Sequence, residues 1–337
     1  MENLLLSSAP SAHQSLPDAR FVVPAEHRPP SSPAGAVALP VIDLSLPRDA
    51  VRAAVLDAGK ELGFFQVVNH GVPLEAMRDM ESACADFFRL PADAKAAYYS
   101  DDTDRTNRLF SSTVYEVAGE RYWRDCLRLA VFPVDDRTRG GWPAQPPRFR
   151  EAMERFIVPT RDVGMRLLRL LCEGIGLRPD HFDGDLSGGE AIVNVNHYPP
   201  CPDTARTLGL PPHCDRNLIT LLLQGTVCGL QVACGGRWID VDPVPGAFVV
   251  NFGHQLEIAT NGLLKSVEHR AVTNSAAPRT SVATFIMPTM DCVVSPAEEL
   301  LEAGEPPRYR SFTFREFMSI YKTVGARRES VEKAFKL

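Results

Sequence analysis

Apolar positions recur along this chain with two different periods, and the change from one to the other divides it. Residues 1–38 show neither period. They are rich in Pro, Ser and Ala and read as an extended or partly mobile lead-in, not a domain. Leu39-Pro40-Val41-Ile42-Asp43-Leu44 is a short strand candidate with proline at its start. From Asp49 to Leu62 the residues Val51, Ala54, Val55, Ala58 and Leu62 share one helical face, and Gly63 stands just past the end as a stop signal. Phe64 to His70 reads as a buried strand closed by Gly71 and Pro73. A second helix is predicted from Leu74 to Leu90, before Pro91. In a third and longer one, Phe149, Met153, Phe156, Val163, Leu167 and Leu170 recur at helical spacing, with Pro159 expected to bend it.

The period shortens after Gly189. Short β-rich runs follow one another at Ala191 to Tyr198, Leu218 to Leu223, Leu230 to Ala233, Trp238 to Val241, Phe248 to Phe252, Lys265 to Val272 and Thr280 to Met287. Turn signals such as Pro199-Pro200, Gly235-Gly236 and Pro245-Gly246 separate them, a spacing that predicts a sandwich or barrel. Thr313 to Val324 is helical again. The fold class is therefore α+β. Residues 39–188 form a mostly helical N-terminal region packed on an all-β core at 189–300, and 301–337 form a C-terminal helical segment, the whole being one cooperative unit.

Composition narrows the function. Of 337 residues, 36 are Lys or Arg and 42 are Asp or Glu, a net charge of −6, which argues against nucleic acid as the main partner. No stretch approaches the roughly 18 apolar residues of a membrane helix, and Leu4-Leu5-Leu6 behind Glu2 makes a poor signal peptide. The eight cysteines are scattered without a Cys-x-x-Cys pair, which suits reduced thiols in the cytoplasm. No obligate protein partner is evident.

The informative chemistry lies in the β-rich half. In a strand, residues i and i+2 point to the same face, so His213 and Asp215 can reach one metal, with His269 from a later strand as third ligand. Two histidines and one carboxylate make the facial triad of non-heme Fe(II) oxygenases, whereas zinc prefers a tetrahedral set. Ten residues further on, Arg279 and Ser281 again share a face within an apolar strand. A buried arginine needs an anion, and a guanidinium with an adjacent hydroxyl suits a carboxylate. Asn196 and Tyr198 add two neutral hydrogen-bonding groups. Taken one at a time, each of these residues has a plainer reading, and Arg279 could equally serve a structural ion pair. As an ordered set they do not.

His213-x-Asp215, His269 and Arg279-x-Ser281, preceded by Asn196-His-Tyr198-Pro-Pro-Cys201, resemble the plant Fe(II)/2-oxoglutarate-dependent dioxygenases. Leu39-Pro-Val-Ile-Asp-Leu44 and Gly63-Phe-Phe-Gln-Val-Val-Asn-His-Gly71 resemble that family's N-terminal signatures, so the likeness covers the chain from about residue 37. Tyr122-Trp-Arg-Asp-Cys-Leu-Arg-Leu129, Pro212-His-Cys-Asp-Arg-Asn-Leu-Ile-Thr220 and Thr260-Asn-Gly-Leu-Leu-Lys-Ser266 bring it nearest to the deoxymugineic-acid dioxygenases of grasses, with hyoscyamine hydroxylase more distant.

The resemblance implies a double-stranded β-helix, that is, a distorted jelly roll. It also implies Fe(II) on His213, Asp215 and His269, with 2-oxoglutarate and O2 as co-substrates and ascorbate as auxiliary reductant. The far carboxylate of 2-oxoglutarate would pair with Arg279 and Ser281, with Tyr198 and Asn196 nearby. The implied reaction yields succinate, carbon dioxide and a hydroxylated small molecule.

Phe110, Arg124 and Arg128, with Arg108, fall where relatives build the substrate wall, and Phe285 follows Ser281 by two alternations. His254 stands where relatives more often carry Gln or Asp, which makes it a substrate-pocket candidate too. Arginines there suit a polycarboxylate amino acid of the mugineic-acid type, although Arg124 and Arg128, four apart, also fit a solvated helical face. Phenolics, alkaloids and hormones are the alternatives within the class. Outside it stand a catalytically silent small-molecule binding protein on the same fold and a zinc hydrolase, which would leave Arg279-x-Ser281 unexplained.

Overall fold

The computed structural model describes residues 5–8, 19–29, 38–112, 119–301, 306–325 and 327–337. The parts of the lead-in at 1–4, 9–18 and 30–37 lie outside the described residues. Through the N-terminal half run β1 (Val41–Asp43), α1 (Arg48–Glu61), β2 (Phe64–Val68), α2 (Leu74–Arg89), α3 (Ala92–Ala96), β3 (Arg108–Ser111), β4 (Asp125–Ala130), α4 (Asp136–Gly140) and α5 (Phe149–Ile175). The second half holds β5 (Ile192–Tyr198), β6 (Leu208–His213), β7 (Ile219–Leu223), β8 (Leu230–Cys234), β9 (Arg237–Asp240), β10 (Phe248–Phe252), α6 (His254–Ala259), β11 (His269–Val272), β12 (Arg279–Ile286), β13 (Val293–Val294), α7 (Glu298–Leu301), β14 (Phe312–Thr313), α8 (Phe314–Val324) and α9 (Arg328–Phe335).

Two sheets make the core. The larger orders its strands β1-β2-β10-β7-β12-β5-β4-β3, and the smaller β6-β11-β8-β9. Side chains from both line one cavity between them, which is the distorted jelly roll. The outer face of the large sheet carries α1, α2 and α5. Val55, Met80, Phe87, Phe156 and Leu167 of these helices are buried in one cluster with Val193, Leu221, Val250 and Val282 of the strands. Helix α5 approaches closely at Gly164, where an added Cβ would lie 2.5 Å from Ile286 Cδ1. Gly63, at φ +62°, ends α1 in the left-handed turn its position predicts, against the Lys265 carbonyl.

The differences from the sequence reading have physical causes. The N-terminal half contributes four strands to the large sheet. Two of these, β3 and β4, carry Arg108, Arg124 and Arg128 on or beside them, so their inward face is polar and the usual apolar alternation is absent. Strand β6 contains Pro211-Pro212, which cannot donate ladder hydrogen bonds; it is tolerated because β6 is an edge strand. Strand β11 begins only at His269, which sits at its start and not at its centre. The lead-in is tied down where it is described. Leu5 and Leu6 are buried, and the amides of Leu6 and Ser7 donate to the two carboxylate oxygens of the buried Asp125.

Candidate active site

His213 is the last residue of β6 and His269 the first of β11, and the antiparallel register sets them directly opposite each other. Their ring centroids are 4.2 Å apart. Nδ1 of His213 lies 2.8 Å from the Pro211 carbonyl, and Nδ1 of His269 lies 3.2 Å from that of Val267. A carbonyl can only accept, so Nδ1 carries the hydrogen in each ring and Nε2 keeps its lone pair for the centre. Asp215 follows β6 and aims Oδ1 at the same point, 3.8 Å from both Nε2 atoms. Its other oxygen accepts from Thr220 Oγ1 at 2.6 Å and Asn251 Nδ2 at 2.7 Å, while Asn217 Nδ2 donates to Thr220 Oγ1.

These three groups offer one donor atom each, all within 4.8 Å of one another and all buried. Burial, together with the neighbouring His269, pulls His213 down to about 3, so its ring is neutral and ready to ligate at physiological pH. Burial opposes ionisation of Asp215. The two imidazoles and the hydrogen bonds from Thr220 and Asn251 outweigh it and hold the carboxyl below its usual range. Two imidazoles and one carboxylate, oriented by outer hydrogen bonds and leaving a side open to the cavity, fit a ferrous ion.

Thr220 and Asn251 escaped the sequence reading. Their signal is a single polar residue inside an otherwise apolar strand, Ile219-Thr-Leu-Leu-Leu223 and Phe248-Val-Val-Asn-Phe252. Asn251→Ala should weaken ferrous binding by about 10-fold or more, the usual effect of losing an outer partner of a ligand. An anaerobic metal titration checks this, and unchanged affinity would contradict the assignment.

Arg279 opens β12 and is 3% exposed. Its Nη1 donates to Ser281 Oγ at 3.3 Å, its Nε donates to the Val227 carbonyl at 3.1 Å, and the guanidinium lies 5.3 Å from the Tyr198 ring centre. In the β12–β5 register, Arg279 faces Tyr198 and Ser281 faces Asn196. Burial lowers Arg279 from the ordinary arginine range, with Tyr198 opposing, yet a guanidinium stays charged at neutral pH. Among the described residues no carboxylate forms an ion pair with it. A buried cation in a neutral cradle of hydroxyls and amide is a seat for a ligand carboxylate.

Phe110, Arg124, Arg128 and Phe285 line the cavity that holds the triad and Arg279. Arg128 stands on β4 and Arg124 immediately before it, so the two arginines are not on a helix. Arg124 is pinned, donating to Asn196 Oδ1 at 2.9 Å and twice to the Ser112 carbonyl, so it braces the strand bearing Asn196 and Tyr198. Arg108 stacks behind the wall, its guanidinium 4.2 Å from the Phe110 ring centre.

His254 is a correction, because it does not line the cavity. Its amide donates to the Asp215 carbonyl at 2.8 Å, and its ring is buried beside those of Phe317 and Tyr321. Burial lowers it to about 4, so it is a neutral core histidine. Arg216 and Tyr321, neither singled out from the sequence, do line the cavity.

A jelly roll with an inward His-Asp-His triad and a buried arginine on a facing strand defines a class of iron oxygenase. A family model described as the 2OG-Fe(II) oxygenase superfamily matches residues 189–288, and one described as the N-terminal region of non-haem dioxygenase in morphine synthesis matches residues 39–149. The chain belongs to the 2OG-Fe(II) oxygenase family and is a dioxygenase that uses Fe(II) and 2-oxoglutarate. It is similar to 2'-deoxymugineic-acid 2'-dioxygenase of Hordeum vulgare, 60% identical over 96% of this chain and 94% of the relative. It is 49% identical to mugineic-acid 3-dioxygenase of the same organism, over 95% of this chain and 94% of the relative. The solved structure of JOX2 in complex with 2OG, Fe and JA superposes with a TM-score of 0.87 at 35% identity, covering 98% of this chain and 96% of that one. No helix among the described residues is long and apolar enough to cross a membrane.

Proposed function

We propose that this enzyme hydroxylates an amino-polycarboxylate of the mugineic-acid type. The observation that carries the reading is the charge of the cavity wall: Arg124, Arg128 and Arg216 line the same chamber as the triad. With Arg270 and the co-substrate's Arg279, five arginines line that chamber, which favours a substrate with several carboxylates and disfavours a neutral phenolic. The names of the two barley relatives point the same way.

His213, Asp215 and His269 hold the ferrous ion. Arg279 and Ser281 bind the far carboxylate of 2-oxoglutarate, with Tyr198 and Asn196 beside it. When bound, the iron and co-substrate together supply the oxidising chemistry, converting 2-oxoglutarate and O2 to succinate and carbon dioxide as the substrate gains a hydroxyl. The protein's own residues orient and shield. Thr220 and Asn251 fix the rotamer of Asp215 through Oδ2, so that Oδ1 would be the oxygen left for a metal. Arg124 fixes Asn196 by a direct hydrogen bond. Phe64, Leu222, Leu230 and Phe285 give the chamber an apolar lining that keeps bulk water from the reacting centre. Arg128 meets the substrate's carboxylates at the wall.

All eight cysteines are unpaired, which supports a reducing, cytoplasmic setting. The test is mass spectrometry of 2'-deoxymugineic acid incubated with enzyme, Fe(II), 2-oxoglutarate and ascorbate. Gain of one oxygen is expected, and Arg128→Gln should lose about 10-fold or more in kcat/KM on it, the order of one charge-assisted hydrogen bond. Turnover of a neutral flavonoid in preference to the acid would overturn the reading.

A further inference from the structure

The two ligand-bearing segments, 213–215 and 266–269, are separate in sequence, and both are held by contacts from the C-terminal residues. Tyr321 on α8 is 1% exposed, and its hydroxyl donates to the Cys214 carbonyl at 2.8 Å. Cys214 stands between the ligands His213 and Asp215. The Tyr321 ring is fixed in turn by stacking on Phe317, 5.5 Å between centroids, within the cluster of Phe312, Phe314 and Phe335.

The other segment is held through Glu257 on α6, which is 3% exposed. Its carboxylate accepts from the Ser266 amide at 2.6 Å, from Tyr309 at 2.8 Å and from both terminal nitrogens of Arg328 on α9, at 2.6 and 2.8 Å. The Arg328 amide also donates to Glu268, the residue before the ligand His269, at 3.0 Å. Burial of Arg328 is outweighed by Glu257, so the pair is a charged clasp.

We propose that α8 and α9 form a brace for the metal site, in which Tyr321 and the Arg328–Glu257 clasp are positioning residues that set the spacing of the 213–215 and 266–269 segments and thereby the affinity and geometry of the ferrous centre. This rests on the metal reading above. The brace acts on backbone, so it works whatever substrate the chamber takes. It explains why a tyrosine hydroxyl on a peripheral helix is spent on a carbonyl inside the ligand turn. It also explains why a buried glutamate gathers donors from three otherwise separate pieces of chain.

The experiment is anaerobic titration of the metal-free full-length protein with Co(II), whose visible spectrum reports coordination geometry, on wild type, Tyr321→Phe, Arg328→Gln, Asp215→Ala and Tyr98→Phe. Tyr321→Phe removes the hydroxyl that donates to the Cys214 carbonyl and keeps the ring. It should raise the Co(II) Kd about five- to tenfold, the worth of such a bond, and shift the visible bands. Arg328→Gln, outside the chamber, should do the same with Tyr321 intact, so the proposal does not depend on one variant folding. Tyr98→Phe, away from the brace, should match wild type. Folded Tyr321→Phe and Arg328→Gln proteins with wild-type Kd and spectrum would overturn the brace while leaving the metal site standing. Wild type and Asp215→Ala binding Co(II) equally would overturn the metal reading and the brace with it.

Discussion

Arg279→Met is expected to raise the 2-oxoglutarate concentration needed for half-maximal turnover by two to three orders of magnitude. Arg279 is 3% exposed, and its guanidinium is already held by Ser281 and the Val227 carbonyl and paired with no carboxylate among the described residues. Removing one partner of a buried charge pair costs about 2–5 kcal/mol, and every 1.4 kcal/mol is tenfold in affinity. Methionine has similar length and fills the space without the charge, so the strand pairing of Arg279 with Tyr198 should survive. The loss should therefore fall on the co-substrate's KM, with metal affinity near wild type. Initial rates of succinate formation across a 2-oxoglutarate series measure it. An unchanged requirement would mean that the arginine serves the fold alone.

Asp215→Ala has the largest effect expected at the metal. It deletes the only carboxylate of the triad and leaves Thr220 Oγ1 and Asn251 Nδ2 aimed at an empty place. Loss of an outer hydrogen-bond partner alone costs up to roughly 100-fold in metal affinity or activity, and loss of the ligand itself should exceed that. The variant should purify without iron and form no succinate above background. Folding should be weakened as well, because Thr220 Oγ1 and Asn251 Nδ2 lose their buried acceptor. Metal analysis beside a circular-dichroism spectrum separates the two effects. Iron content equal to wild type would remove Asp215 from the ligand set.

Much of this site was legible in sequence because strand alternation is a strict code. Arg279 and Ser281 on β12, and Asn196 and Tyr198 on β5, are each two apart, and each pair faces the chamber; Asp215 lies just past the end of β6, so the turn after that strand, not alternation, brings it beside His213. The same rule sent His197 the other way. Its ring stacks on Phe88, 4.5 Å between centroids, with Nδ1 2.9 Å from Thr280 Oγ1.

What alternation could not show is which distant strands become neighbours. Strand β4, between β3 and β5, has charged residues on its inner face and so carries no apolar period to announce it. The prolines of β6 argue for a loop until the edge position of that strand is known. His254 misled for a related reason. It follows a core strand that faces the chamber, but the chain turns into α6 at that residue, and helical geometry sends its ring behind the wall. Tyr321 has no local signal at all. Its partner lies 107 residues away, and only the packing of α8 brings its hydroxyl to the Cys214 carbonyl.

The convergence of three ligands and one cationic anchor on a single chamber is tested most directly by adding 2-oxoglutarate to the ferrous enzyme without oxygen and following the visible charge-transfer absorption of the chelate. The account predicts a saturable band in wild type, its appearance only at far higher 2-oxoglutarate in Arg279→Met, and its absence in Asp215→Ala. A band that Asp215→Ala retains, or that Arg279→Met develops at the wild-type concentration, would contradict it.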